Sequence, residues 1–159
     1  SEKNQIEHRV VIDMIHDTLL PWCSYLDWEP EPSVLSVANV QHLATDVTGR
    51  LADAAPVLAL AASLHPTAAV CGTPTERAFS VIREIEGMDR GRYAGPVGWF
   101  DRHGDGEFGI ALRCASIDVE AGQVRSYAGC GIVAGSDPAD ELAESVAKLV
   151  PIRDALELR

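Results

Sequence analysis

Apolar residues Ile6, Val10 and Met14, with Val11, Ile15 and Leu19 beside them, recur at the spacing of a helix with one buried face. This predicts a helix over residues 3–20, stopped by Pro21. The pattern then breaks. WCSYLDWEPEP, with Pro21, Pro30 and Pro32 in or beside it, reads as an irregular surface loop or linker. Residues 33–48 are rich in Val, Ser and Thr and read as extended. DAAPVLALAASL, residues 53–64, suits a buried helix capped by Asp53 with Pro56 in its first turn. LHPTAAVCGTP, residues 64–74, is too apolar for a solvent loop and too broken by Pro66, Gly72 and Pro74 for a regular element. Thr73-Pro74-Thr75-Glu76 then has the form of a capping box with proline at the first helical position. The helix behind it is expected to bury Ala78, Val81, Ile82 and Ile85 and to end at Gly87.

Residues 94–132 read as an antiparallel meander: GPVGWFD turns through RHGDG into EFGIALRCASIDV, then through EAG into QVRSYAGCGIV. In the middle strand, alternation puts Phe108, Ile110, Leu112 and Cys114 on one face. Gly109, Ala111, Arg113 and Ala115 form the other. A last helix starts at Asp137-Pro138 and runs to about Val150, where Pro151 intervenes. The fold class is α+β, antiparallel strands flanked by helices, with no internal repeat.

Composition narrows the function classes. The 159 residues suffice for one domain with a core, and 47% apolar with 23% charged residues is an ordinary globular mix. No apolar run is long enough for a membrane span, so no membrane partner is expected. The net charge of −11 repels phosphate, which argues against a nucleic-acid partner. Any bound anion must therefore be held by a few local cations or backbone N–H groups. The four cysteines, at 23, 71, 114 and 130, are too widely spaced for a paired-cysteine zinc or redox motif. They read as reduced thiols of a cytoplasmic protein. The polar start SEKNQIEHR carries no signal-peptide pattern and no initiator Met, and reads as beginning after processing or partway through a longer protein.

Three places offer chemistry. Arg113 stands on a floor of small residues, with room above it for a carboxylate; an outward-facing surface arginine gives the same pattern. Ala128-Gly129-Cys130-Gly131 lets another group approach the main chain and offers N–H donors; a simple strand exit would look alike. Glu141, Glu144 and Lys148 share one helix face. They suit either a solvated ion-pair ladder or a hard-cation site beside a carboxylate-binding lysine. Glu7 could add a carboxylate, although nothing in the spacing shows that it meets Glu144. The five histidines are scattered, and no GxSxG, P-loop or GxGxxG motif is present.

Six stretches in order, SEKNQIEH, QHLAT, LHPTAAVCGTP, MDRGRYAGPVGW, ALRCASI and YAGCGIVAGSDPADELAESVAKL, resemble the C-terminal part of the chorismate-utilising enzymes. That family comprises isochorismate, salicylate, anthranilate and aminodeoxychorismate synthases. The resemblance spans nearly the whole chain and is weakest over residues 21–36. Within it the 64–74 loop would lie flush against the substrate ring. Anthranilate and aminodeoxychorismate synthases typically read G-A-P-K near its end, where this chain reads Cys71-Gly72-Thr73-Pro74-Thr75, and salicylate synthases tend to carry threonine at the place of Ala69. The stretch is most similar to isochorismate synthases. A salicylate synthase or another family enzyme, or a non-catalytic module that binds chorismate-like acids, is the alternative.

The resemblance implies a site residue by residue. Glu7 and Glu144 would ligate magnesium, with Glu141 and Asn4 in the outer shell. Arg113 would grip a chorismate carboxylate beside Tyr93, with Lys148 facing a carboxylate. Gly129, with Gly131 close by, would donate backbone N–H groups to the substrate, His42 would sit in the site, and Ala69 and Val70 would line the ring. The implied reaction interconverts chorismate and isochorismate with Mg2+, for siderophore or menaquinone synthesis. In the family the general-base lysine and general-acid glutamate belong to an N-terminal part. Here the only lysines, Lys3 and Lys148, both fall within C-terminal motifs. Residues 1–159 are therefore expected to be the C-terminal portion of an anthranilate synthase component I-like α/β sandwich. Such a portion would be inactive alone, and would need the absent N-terminal half or self-associate.

Overall fold

The computed structural model describes residues 2–37 and 40–157. Helix α1, Glu2–Leu19, forms as the apolar spacing predicts and runs into a short 3-10 turn at Leu20–Trp22. Strands β1 (Cys23–Trp28), β2 (Ser33–Val37), β3 (Val40–Ala44) and β4 (Val47–Leu51) follow. Helices α2 (Val57–Leu64) and α3 (Thr75–Ile85) come next, then β5 (Pro96–Phe100), β6 (Gly106–Ile110), β7 (Cys114–Asp118) and β8 (Gln123–Tyr127). Helix α4, Pro138–Leu156, closes the chain. The antiparallel pairs are β1 with β4, β2 with β3, β5 with β6, and β7 with β8. The architecture is α+β.

Several expectations are corrected. The stretch read as a loop or linker contains β1, whose partner β4 lies beyond the β2–β3 hairpin. Pro30 and Pro32 fall past the end of β1 and so remove none of its ladder hydrogen bonds. Pro56 and Pro74 occupy the N-cap positions of α2 and α3, neither helix has a side-chain cap, and both the Asp53 cap and the capping box are absent. The expected apolar face of α3 is largely bare, with Val81 44% and Ile85 76% exposed. Its end does fall at Gly87, whose φ of 60° is the left-handed conformation that glycine adopts without a Cβ clash. The long middle strand is two strands, β6 and β7. Between them Ala111 exchanges hydrogen bonds with Ala94 and Gly95, Leu112 N–H turns back to the Ile110 carbonyl, and Arg113 takes φ 48°. The alternation of faces therefore does not run through to Cys114. Helix α4 continues through Pro151 instead of stopping there. A ring inside a helix removes one backbone bond but does not oblige the helix to end.

Little of the chain is buried. Among the described residues, those buried are Cys71, Ala94, Thr67 and Glu141, all in the segments that carry the candidate site. Total accessible surface is 11746 Å² for a 17.1 kDa chain, whereas a compact monomer of that mass exposes roughly 7,800 Å². Much of the excess is apolar: Val34, Leu35, Val97, Trp99, Phe100 and Ile117 are each more than half exposed. Among the described residues no helix is long and apolar enough to cross a membrane.

Candidate active site

The site begins at the kink between β6 and β7. A left-handed φ costs a residue with a Cβ about 1–2 kcal/mol, and such strain persists only where surrounding structure enforces it. At Arg113 the paired backbone of Ala94, Gly95 and Ala111 enforces it. The kink brings the guanidinium to His42 on β3, with Nη2 3.3 Å from Nε2. Arginine only donates, so Nε2 of His42 is the accepting atom of this contact.

Arg113 shares a small cleft of about 80 Å³ with Tyr93, Leu112, Ala128, Gly129 and Lys148. Two cations and one phenol thus face one hollow beside the end of β8. Lys148, on α4, donates to the Gly129 carbonyl at 3.0 Å and pairs with Glu144 at 2.7 Å. Tyr93 stacks on Tyr127, with ring centroids 5.2 Å apart and planes 18° from parallel. Its hydroxyl reaches Gly129, where a Cβ would stand 3.1 Å away. Burial raises the Tyr93 pKa, although Arg90 opposes this, so the phenol stays protonated and can donate.

Acidic residues gather around the same segment. The Glu7 carboxylate lies against Gly131, so close that a Cβ there would be 1.5 Å from Oε1. Glu141 is buried in the first turn of α4. The Cys130 thiol is pushed up by burial, then by a hydrogen bond to Glu141 and by the charges of Glu141 and Glu144, against the pull of Lys148. Glu7, Glu141, Glu144 and Lys148 therefore all surround Gly129–Gly131. Asn4 lies one turn before Glu7 on α1. Carboxylate oxygens of this kind suit a hard cation. Among the described residues no three His, Cys, Asp or Glu side chains stand together as a ligand set, and Glu144 is engaged by Lys148.

The 64–74 loop contributes no lining residue to the Arg113 cleft and is tied to the Tyr93 segment through Arg90, which donates to the Val70 carbonyl. Ala69 is exposed and Val70 half-buried, in a turn held by bonds from the Val70, Cys71 and Gly72 amides to the carbonyls of Thr67 and Ala68. The Ala68 amide also meets Met14 Sδ of α1 at 3.2 Å. Sequence reasoning took only Tyr93 from MDRGRYAG and missed Arg90, which hydrogen-bonds the Val70 carbonyl; it also missed Tyr127, whose stacking no spacing reveals. A larger open hollow of about 460 Å³ is lined by Val10, Asp13, Met14, Asp17, Thr18 and Thr73. With two carboxylates and no cation, it offers nothing to an anion.

Residues 1–157 match the family described as "Chorismate binding enzyme". The isochorismate synthase MenF of Bacillus subtilis is 44% identical over 155 residues, which is 98% of this chain and 32% of that protein. The salicylate biosynthesis isochorismate synthase of Pseudomonas aeruginosa is 44% identical over 156 residues, again 98% of this chain and 32% of that protein. A solved structure of DhbC from Bacillus anthracis superposes with a TM-score of 0.95 at 43% identity, covering 100% of this chain and 42% of the other. The chain spans about a third of the length of the two curated relatives it matches.

Proposed function

The chain belongs to the chorismate-binding enzyme family, and from that membership we propose that residues 1–159 are the C-terminal, carboxylate- and magnesium-holding portion of a cytoplasmic isochorismate synthase. The observation that carries this is the cleft where Arg113 and Lys148 face one hollow beside Gly129 and Tyr93. Chorismate carries two carboxylates. An acidic protein can hold such a dianion only by concentrating its few cations, and Arg113 supplies a planar fork where Lys148 supplies a point charge. Tyr93 adds a protonated phenol, His42 steadies the Arg113 fork, and Ala69 and Val70 offer small apolar contacts to the ring. Glu7 and Glu144 would hold Mg2+, with Glu141 behind them; the ion supplies positive charge that offsets a substrate carboxylate.

The chemistry exchanges a ring hydroxyl for one from water. A base must take a proton from the incoming water, and an acid must give one to the departing hydroxyl, so atoms and charge balance. We assign both tasks to further polypeptide of the family's length. Support comes from Lys148, already bound to Glu144 and the Gly129 carbonyl, and from a cleft well below the roughly 300 Å³ at which ligand pockets begin. The same polypeptide would cover the exposed apolar strands.

The test is chorismate turnover with Mg2+ by the enzyme that contains these residues. Arg113→Ala should weaken chorismate binding about ten- to a hundred-fold, the worth of a charge-assisted hydrogen bond. Glu144→Ala should abolish conversion to isochorismate. Activity retained in Glu144→Ala removes the metal assignment, and salicylate as main product moves the chain to the salicylate synthases.

A further inference from the structure

Arg90 contacts its near neighbours Glu86 and Tyr93 and, twenty residues earlier in the chain, Val70. Its Nε donates to Glu86 Oε2 at 2.8 Å and its Nη2 to Glu86 Oε1, which ties it to the end of α3. Its Nη1 donates to the Val70 carbonyl at 2.8 Å. Its guanidinium carbon lies 5.6 Å from the centre of the Tyr93 ring, within cation–π range. The Arg90 carbonyl also accepts from the Tyr93 amide at 2.9 Å. One planar fork therefore holds the 64–74 loop at Val70 and the aromatic wall at Tyr93 in a fixed relation. Tyr93 in turn leans on Tyr127 and reaches Gly129.

We infer that Arg90 is a positioning residue, a clamp that sets the distance between the ring-facing loop and the Tyr93 wall of the carboxylate cleft. Its functional consequence rests on the chorismate site proposed above. Geometry selects arginine. A lysine has one nitrogen, so it cannot engage both Glu86 oxygens and the Val70 carbonyl while presenting a flat face to Tyr93. The guanidinium need not touch substrate, because it acts through a backbone carbonyl and a ring.

The test compares wild type, Arg90→Lys and Glu86→Gln in the enzyme that contains these residues, by three measurements. These are amide hydrogen exchange at Val70, Cys71 and Gly72, chorismate affinity, and affinity for Mn2+ in place of Mg2+. Arg90→Lys should speed exchange at those amides at least ten-fold and weaken chorismate at least ten-fold, with Mn2+ affinity unchanged within two-fold. Glu86→Gln, which loosens one arm of the fork, should move the same two quantities by about three-fold. Wild-type exchange rates in Arg90→Lys overturn the clamp, as does a loss of chorismate affinity matched by an equal loss for Mn2+. If Arg90→Lys does not fold, Glu86→Gln decides: weaker chorismate binding with unchanged Mn2+ binding supports the clamp, and wild-type chorismate binding overturns it. A wild type that fails to bind chorismate refutes the proposed site, and the clamp is then judged by amide exchange alone.

Discussion

Gly131 shows how much one missing methyl group can decide. Its sequence context, a Gly-X-Gly at a strand exit, suggests exposed N–H donors, yet the structure also uses it to seat the Glu7 carboxylate. A Cβ 1.5 Å from Oε1 is far inside van der Waals contact, so Glu7 must swing away in Gly131→Ala. Mn2+ affinity should then fall at least ten-fold, and Glu7→Asp in that background, one methylene shorter, should recover part of the loss. Calorimetric titration with Mn2+ checks this. Equal affinity in Gly131→Ala would mean that Glu7 is no ligand. Arg113 was legible as a residue type and illegible as a conformation, because its φ of 48° is imposed by bonds between residues 94–95 and 111.

At the scale of elements, α4 has a start fixed by its own side-chain cap, which α2 and α3 lack. Asp137 accepts from the amides of Ala139 at 2.9 Å and Asp140 at 3.1 Å, with Pro138 at the first helical position. The helix carries Glu141, Glu144 and Lys148, so its entry fixes three candidate site residues at once. Asp137→Ala should cost about 1 kcal/mol and lower the midpoint of thermal unfolding by roughly 2–4 °C, measured by circular dichroism. An unchanged midpoint would show that packing alone holds this end. The start of α4 was readable because a cap is local. The strand β1 was not, because its pairing with β4 depends on a segment beyond an intervening hairpin.

The whole molecule has more surface than its mass can keep dry. An excess of about 4,000 Å² over a compact chain of equal mass, much of it on Val, Trp, Phe and Ile side chains, is strongly unfavourable in water. The 159-residue chain alone should therefore self-associate and bind an apolar dye, as sedimentation velocity and dye fluorescence will show. Extended to the length of its relatives, it should do neither. A clean monomer without dye binding would mean that these strands are stable when bare.

The sequence by itself determined where the helices lie, the two turns that join β5 to β6 and β7 to β8, and the family, because helical period, turn residues and ordered motifs are all local patterns. Only the tertiary structure decided that Glu7 rests on Gly131, that Arg113 meets His42, and that Arg90 joins Val70 to Tyr93. Those contacts link residues distant along the chain. Periodicity fixes which way a side chain points on its own element, whereas which elements meet depends on how the whole chain closes.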